Sequence, residues 1–171
     1  VTGAGGRLLS AWLSAPLTEV DAINARLDAV QHFCVEAALR DRAREQLSAS
    51  ADIERALSRI SLGRGGPRDL AAIRDGLKVA SMLQKLLQEQ EPSKSTAAII
   101  EAAKQLGEHA TLIERLDRAL AQELPLLTRD GGFIAQGYAP ELDELITLRD
   151  ESRKLIAGLQ AKYCEATGVP S

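Results

Sequence analysis

After Pro140 no proline occurs until Pro170, and between them Tyr138, Leu142, Leu145, Leu148, Leu155, Leu159 and Tyr163 recur at helical spacings. Ser152 fills the one polar gap, and Ile146 and Ile156 widen the apolar stripe. This pattern predicts one continuous helix from Pro140 to about Thr167. Such a helix is about 42 Å long at 1.5 Å per residue. A compact domain of this size has a radius of gyration of only about 15 Å. The stripe needs an apolar partner, yet the sequence supplies no returning helix before Gly168-Val169-Pro170-Ser171. The expectation is half of an antiparallel helix pair whose other half lies outside this sequence.

The rest also reads as helix. Aromatics are 3% of the 171 residues, while Ala, Leu, Glu and Arg abound. Unbranched side chains lose little freedom in a helix. Leu8, Leu9, Trp12 and Leu13 share one face of a first helix, expected to start near Gly5 or Gly6 and to end at Pro16. Thr18, with Asp21 three residues on, predicts the cap of a second helix with a stripe of Ile23, Leu27, Val30 and Cys34. Residues 40–50 read as polar helix or helix and turn. Asp52 caps a segment bearing Ile53, Leu57 and Ile60, and Gly63-Arg64-Gly65-Gly66 ends it. Pro67 opens a helix through Leu70, Ile73, Leu77, Ala80, Met82, Leu83, Leu86 and Leu87, in which Gly76 needs a close neighbour. A loop at 91–95, helices over 96–105 and 111–121, a break at Gly107 and a short extended piece at 133–135 complete the reading. The fold class is all-α: a multi-helix core over 1–137 and one long protruding C-terminal helix over 138–171.

The net charge of -3 and a pI of about 5.5 count against a free-standing nucleic-acid binder. Cys34 and Cys164 have no metal spacing and read as reduced, partly buried thiols of an intracellular protein. His32 and His109 stand alone and read as surface or boundary histidines. No apolar run reaches the length of a membrane span. The start lacks Met and a signal core and reads as a cut end. No phosphate-cradling G-x-x-x-x-G-K-[ST] occurs, so Asp130-Gly131-Gly132 reads as a turn. Glu141, Asp143 and Glu144 sit where a helix N-terminus favours negative charge. No constellation supports catalysis, and neither a cofactor nor a metal is expected on this chain.

Ordered blocks along the chain carry a resemblance. Thr2, Gly5, Arg7-Leu8-Leu9, Trp12-Leu13 and Pro16-Leu17 form the first, and residues 23–30, which include Arg26 and Asp28, the second. Asp52-Ile53-Glu54-Arg55, Leu57, Arg59-Ile60 and Pro67-Arg68-Asp69-Leu70 form the third. Arg129-Asp130-Gly131-Gly132, Ile134, Gly137-Tyr138 and residues 141–145 form the fourth. In this order the blocks resemble MutS, the DNA mismatch repair ATPases, over the core domain and first lever helix.

The resemblance implies a parent with a connector, a DNA-gripping clamp and a dimerising ATPase domain that uses ATP and Mg. It also implies mismatched duplex DNA and a MutL-type protein as partners, in the bacterial cytoplasm at the nucleoid. It carries no catalytic residue onto this chain. The implied role is mechanical: Asp130, Gly131, Gly132, Gly137 and Tyr138 set the angle of the lever, while Trp12, Pro16, Arg26, Asp28, Arg68 and Asp69 belong to the core. A free-standing helical scaffold that self-associates through the long stripe, and a MutS-like recombination paralogue, are the alternatives.

Overall fold

A computed structural model describes residues 1–90 and 95–168. The helices are α1 (Gly3–Ser14), α2 (Val20–Val35), α3 (Ala37–Ser48), α4 (Ile53–Ser61), α5 (Pro67–Gln88), α6 (Ala97–Gln105), α7 (Ala110–Ala119) and α8 (Pro140–Thr167). A short 3-10 turn covers Thr128–Asp130. Among the described residues there is no strand, only an isolated antiparallel bridge between Leu120 and Ile134. The expected all-α class and the bounds expected of the last helix are those observed. Most of the predicted loop at 91–95 lies outside the described residues.

α5 is the central helix and packs against α3, α4, α6 and α7, while α2 packs against α3 and α6. The main core joins Leu39 and Ala43 of α3 to Val79, Leu83 and Leu86 of α5, flanked by Phe33, Leu47, Leu87 and Leu106. A second contact is the α4–α5 crossing. A Cβ at Gly76 would lie 2.6 Å from Ile53 Cδ1, so glycine is what lets the helices approach here. Ala56, fully buried on α4, fills the same side.

Local chemistry sets most helix starts. The Thr2 hydroxyl accepts from the Gly5 amide at 2.9 Å, so α1 begins at Gly3, earlier than Gly5 or Gly6. Asp52 caps α4 by accepting from the Arg55 amide at 3.2 Å. Pro67 opens α5, and the Asp69 carboxylate accepts from the Gly66 amide at 2.9 Å. The Thr18 cap is not formed: α2 starts at Val20 after Glu19, with no side-chain cap.

The other departures concern which face is covered. On α2, Leu27 and Val30 are 58% and 60% exposed, and Cys34 is exposed rather than partly buried. The covered face instead carries Ile23, Arg26, Ala29 and His32. His32 is buried, not a surface or boundary residue, and its Nε2 has no hydrogen-bond partner. Small Ala29 and the edge-on His32–Phe33 pair let this side sit against its neighbours. On α4, Ala56 rather than Leu57 faces inward, and Met82 of α5 is exposed. Leu8, Leu9, Trp12 and Leu13 do share one face of α1, and all four are exposed.

Candidate functional site: the junction below the last helix

The chain reverses between α7 and α8 through a turn held by its own backbone. The Asp130 carboxylate accepts from the Leu127 amide at 3.2 Å, and the Gly131 amide donates to the Thr128 carbonyl at 3.2 Å. Gly131 adopts φ 70°, ψ −172°, and Gly132 adopts φ 72°. The first conformation belongs almost solely to glycine, because a Cβ there would clash with the backbone itself. Two sequential positive-φ residues turn the chain so that 133–135 runs back along the end of α7. There the Ala121 amide donates to the Phe133 carbonyl at 2.9 Å, and the Ala135 amide to the Ala119 carbonyl at 2.8 Å. Phe133 joins Ile60, Pro67 and Leu70 around a 260 Å³ cavity, which places the reversal beside the α4–α5 corner.

α8 then starts against three polar restraints. The Gly137 amide, at φ 83°, donates to the Asp143 carboxylate at 2.8 Å. The Tyr138 amide donates to the Ala135 carbonyl at 3.1 Å. Arg115 of α7 donates to the Tyr138 hydroxyl at 3.4 Å. Pro140 occupies the first turn, where its missing N–H leaves nothing unpaired. Asp143 therefore has two effects: it fixes the approach loop, and it places negative charge at the helix N-terminus.

Farther along, α8 leaves the body. Asp143, Ile146 and Asp150 are half-covered, whereas every residue from Glu151 to Tyr163 is exposed. Leu148 and Leu155 are 61% and 67% exposed. The apolar stripe is thus bare along the rod.

The other residues singled out from the sequence fall in two places. Arg26 of α2 stacks its guanidinium over the Trp12 ring at 3.7 Å from the centroid, a cation–π contact joining the first two helices. Pro16 lies exposed in the link between them, and Asp28 lines a 530 Å³ groove with His32, Thr96 and Ala97. At the start of α5, Asp69 pairs with Arg59 of α4 and caps Gly66. The Arg59 guanidinium, followed by the Gly66 N–H, holds the Asp69 carboxyl below its ordinary range. Arg68 reaches the Leu124 carbonyl at 3.4 Å, linking α5 to the segment that leads into the turn. So Arg68, Asp69 and 130–138 form one connected region, and Trp12 and Arg26 a separate one.

Sequence reasoning passed over Arg115, Arg59 and Asp143 as partners, and Arg7 as the anchor of α1. Asp143 carried a usable signal, since an acid six residues after Gly137 can fold back from the first turn. Among the described residues, no helix is long and apolar enough to cross a membrane, and no cluster of His, Cys, Asp or Glu could hold a metal ion.

The family model described as MutS domain III matches residues 1–169. The chain belongs to the MutS domain III family. It is 51% identical over 170 residues to the DNA mismatch repair protein MutS of Rhodopseudomonas palustris, covering 99% of this chain and 18% of that protein. The MutS of Rhizobium meliloti is 46% identical over 172 residues, covering all of this chain and 18% of that protein. That of Paracoccus denitrificans is 50% identical over 171 residues, again covering all of this chain, and 19% of that protein. The chain thus spans less than a fifth of the length of these relatives and corresponds to the core segment of a MutS protein.

Proposed function

We propose that this chain is the mechanical core of a mismatch-repair ATPase, and that α8 is the first of its two levers. The observation that carries the reading is the contrast along α8. Its base is fixed by directed hydrogen bonds from Gly137, Tyr138 and Arg115, while its outer part is bare and apolar on one side. A rod about 42 Å long converts a tilt of about 5° at its base into a tip displacement of about 4 Å. Chemistry is absent from this transmission. ATP and Mg belong to another domain, whose movement reaches α8 through the core. Mismatched DNA is held beyond the tip, by a clamp the lever supports. The bare stripe of Leu148, Leu155 and Leu159 receives the returning lever, the connector adjoins the core, and the parent works as a homodimer with a MutL-type partner.

The test uses a full-length MutS carrying this segment, with a short Gly-Ser insertion between Ala157 and Gly158. Basal ATP hydrolysis should persist while its response to mismatched DNA is lost, because the rod no longer transmits tilt. An unchanged DNA response would defeat the lever reading. Alone, the chain should show no ATP hydrolysis and only weak, salt-sensitive binding to duplex DNA, in keeping with its net charge of -3.

A further inference from the structure

α1 is attached in an unusual way. None of its residues is buried, and only Ala4 and Arg7 are half-covered. Its leucines and Trp12 face away from the core, so the helix turns a cation inward and its apolar strip outward. The Arg7 guanidinium donates to both oxygens of Asp52, each at 2.9 Å, and to Glu54 at 2.6 Å. The Asp52 contacts are partly shielded, with the Arg7 and Asp52 side chains 35% and 29% exposed, whereas Glu54 lies open to solvent. Beside them the first turn of α1 borders a 330 Å³ cavity with Leu47, Ala51 and Ile53, so apolar packing there is incomplete. The second attachment, Arg26 over Trp12, is also cationic. The Asp52 carboxyl, held low chiefly by Arg7, reports the same coupling from the acid side.

We propose that Arg7 is the latch of α1, a salt-sensitive positioning residue whose release frees the helix and its apolar strip while the core stays folded. The physical basis is the difference in screening. Salt screens exposed ion pairs, such as the Glu54 arm of the latch with its side chain 70% exposed, and the longer-range attraction that guides Arg7 back to its acids. It leaves the packing of Leu39, Val79, Leu83 and Leu86 intact, since burial of apolar area involves no charge. Bidentate geometry makes arginine the suited residue, because its planar fork matches one carboxylate and still reaches a second.

Hydrogen exchange read by mass spectrometry on the full 171-residue chain tests this. Raising NaCl from about 50 mM to about 1 M, which shortens the screening length from over 10 Å to about 3 Å, should speed exchange over 3–14 at least about threefold. Exchange over α5 should not change. Arg7→Gln at low salt should reproduce the effect and abolish the salt response. Asp52→Asn should do the same while exchange over α4 stays slow, because asparagine still caps the helix. Trp12, the single tryptophan, adds an emission readout. Exchange over α1 that ignores both salt and Arg7→Gln, or that always moves in step with α5, would overturn the proposal.

Discussion

Replacing Gly131 by alanine isolates the backbone strain on which the α7–α8 reversal depends. At φ 70°, ψ −172°, with no atom within 4 Å of the position a Cβ would take, an L-side chain meets no neighbour, and its cost is conformational alone. Forcing an L-residue into this region costs about 1–3 kcal/mol. Loss of glycine's freedom in the unfolded chain offsets about 0.4–1 kcal/mol of that. The net destabilisation lies between about 0 and about 2.6 kcal/mol, centred on about 1.3, or a fall in Tm of roughly 3–5 °C at the centre for a chain of this size. The mirror image of this conformation, φ −70°, ψ 172°, is an extended basin that ordinary residues favour. D-alanine placed at 131 by ligation should therefore be neutral or should stabilise by up to about 1 kcal/mol. Urea unfolding followed by circular dichroism measures both variants. Equal midpoints for the L- and D-forms would refute the argument, since the two side chains are chemically identical and the backbone preference they impose is opposite in hand. Gly132→Val, at φ 72°, should likewise destabilise, by more than about 1 kcal/mol.

Other variants probe the packing and the charges. Gly76→Ala should cost about 1–3 kcal/mol in a urea melt, because the added methyl strikes Ile53, and Ile53→Ala should recover part of that loss in the double variant. Asp69 and Asp52 are both held below the ordinary carboxylate range, chiefly by Arg59 and Arg7 respectively. Their contribution is present above the unfolded value of about 3.9 and is lost as pH falls through the lower folded value. Thermal stability should thus be level near neutrality and decline below about pH 4, with a shallower acid decline for Asp69→Asn. Leu148→Glu, on the bare side of α8, should change stability by no more than about 0.5 kcal/mol, whereas Leu83→Ala in the core should cost about 2–5 kcal/mol. A large loss for Leu148→Glu would mean that the stripe is already covered.

How much could be read beforehand followed the physics of each signal. Helix positions came through well, because Pro67, Pro140, Asp52 and the positive-φ glycines act locally and their effect needs no knowledge of the fold. The bounds of α8 were legible for the same reason. Which face of a short helix is covered was less so. On α2 the more apolar stripe of Leu27 and Val30 lies outward, while Ile23, Ala29 and His32 face in. Periodicity finds a helix, but two faces of similar hydrophobicity leave its rotation to the neighbours, here α3 and α6. The Thr18 cap failed likewise, because such a cap is a competition among adjacent polar residues that the approaching chain decides. The junction glycines were visible as a turn. The Gly137–Asp143 pair is local and was legible in principle, whereas Arg115 and Tyr138, 23 residues apart, meet only because of the reversal.

The way α8 is mounted bears on what it can transmit. Its base gains little from apolar burial: Asp143, Ile146 and Asp150 are only half-covered, and no residue of α8 is buried. What it has instead are hydrogen bonds, which are directional, from an amide at Gly137 and a guanidinium at Arg115. A mount of this kind fixes an angle sharply but commits little free energy, because each such bond contributes only about 0.5–1.5 kcal/mol net. Tilting the rod to a second angle therefore requires exchanging a few polar contacts, not opening a core. The ladder between 119–121 and 133–135 lies on the body side of Gly137, so on the lever reading it would stay in place through such a change. On the lever reading proposed above, helix, hinge and anchor thus have separate physical causes. Those are an uninterrupted backbone ladder in α8, exchangeable polar contacts at 137–143, and the hydrogen bonds of 133–135 to the end of α7. A lever needs that separation, because a rod mounted through a buried apolar face would move only by unpacking the domain that drives it.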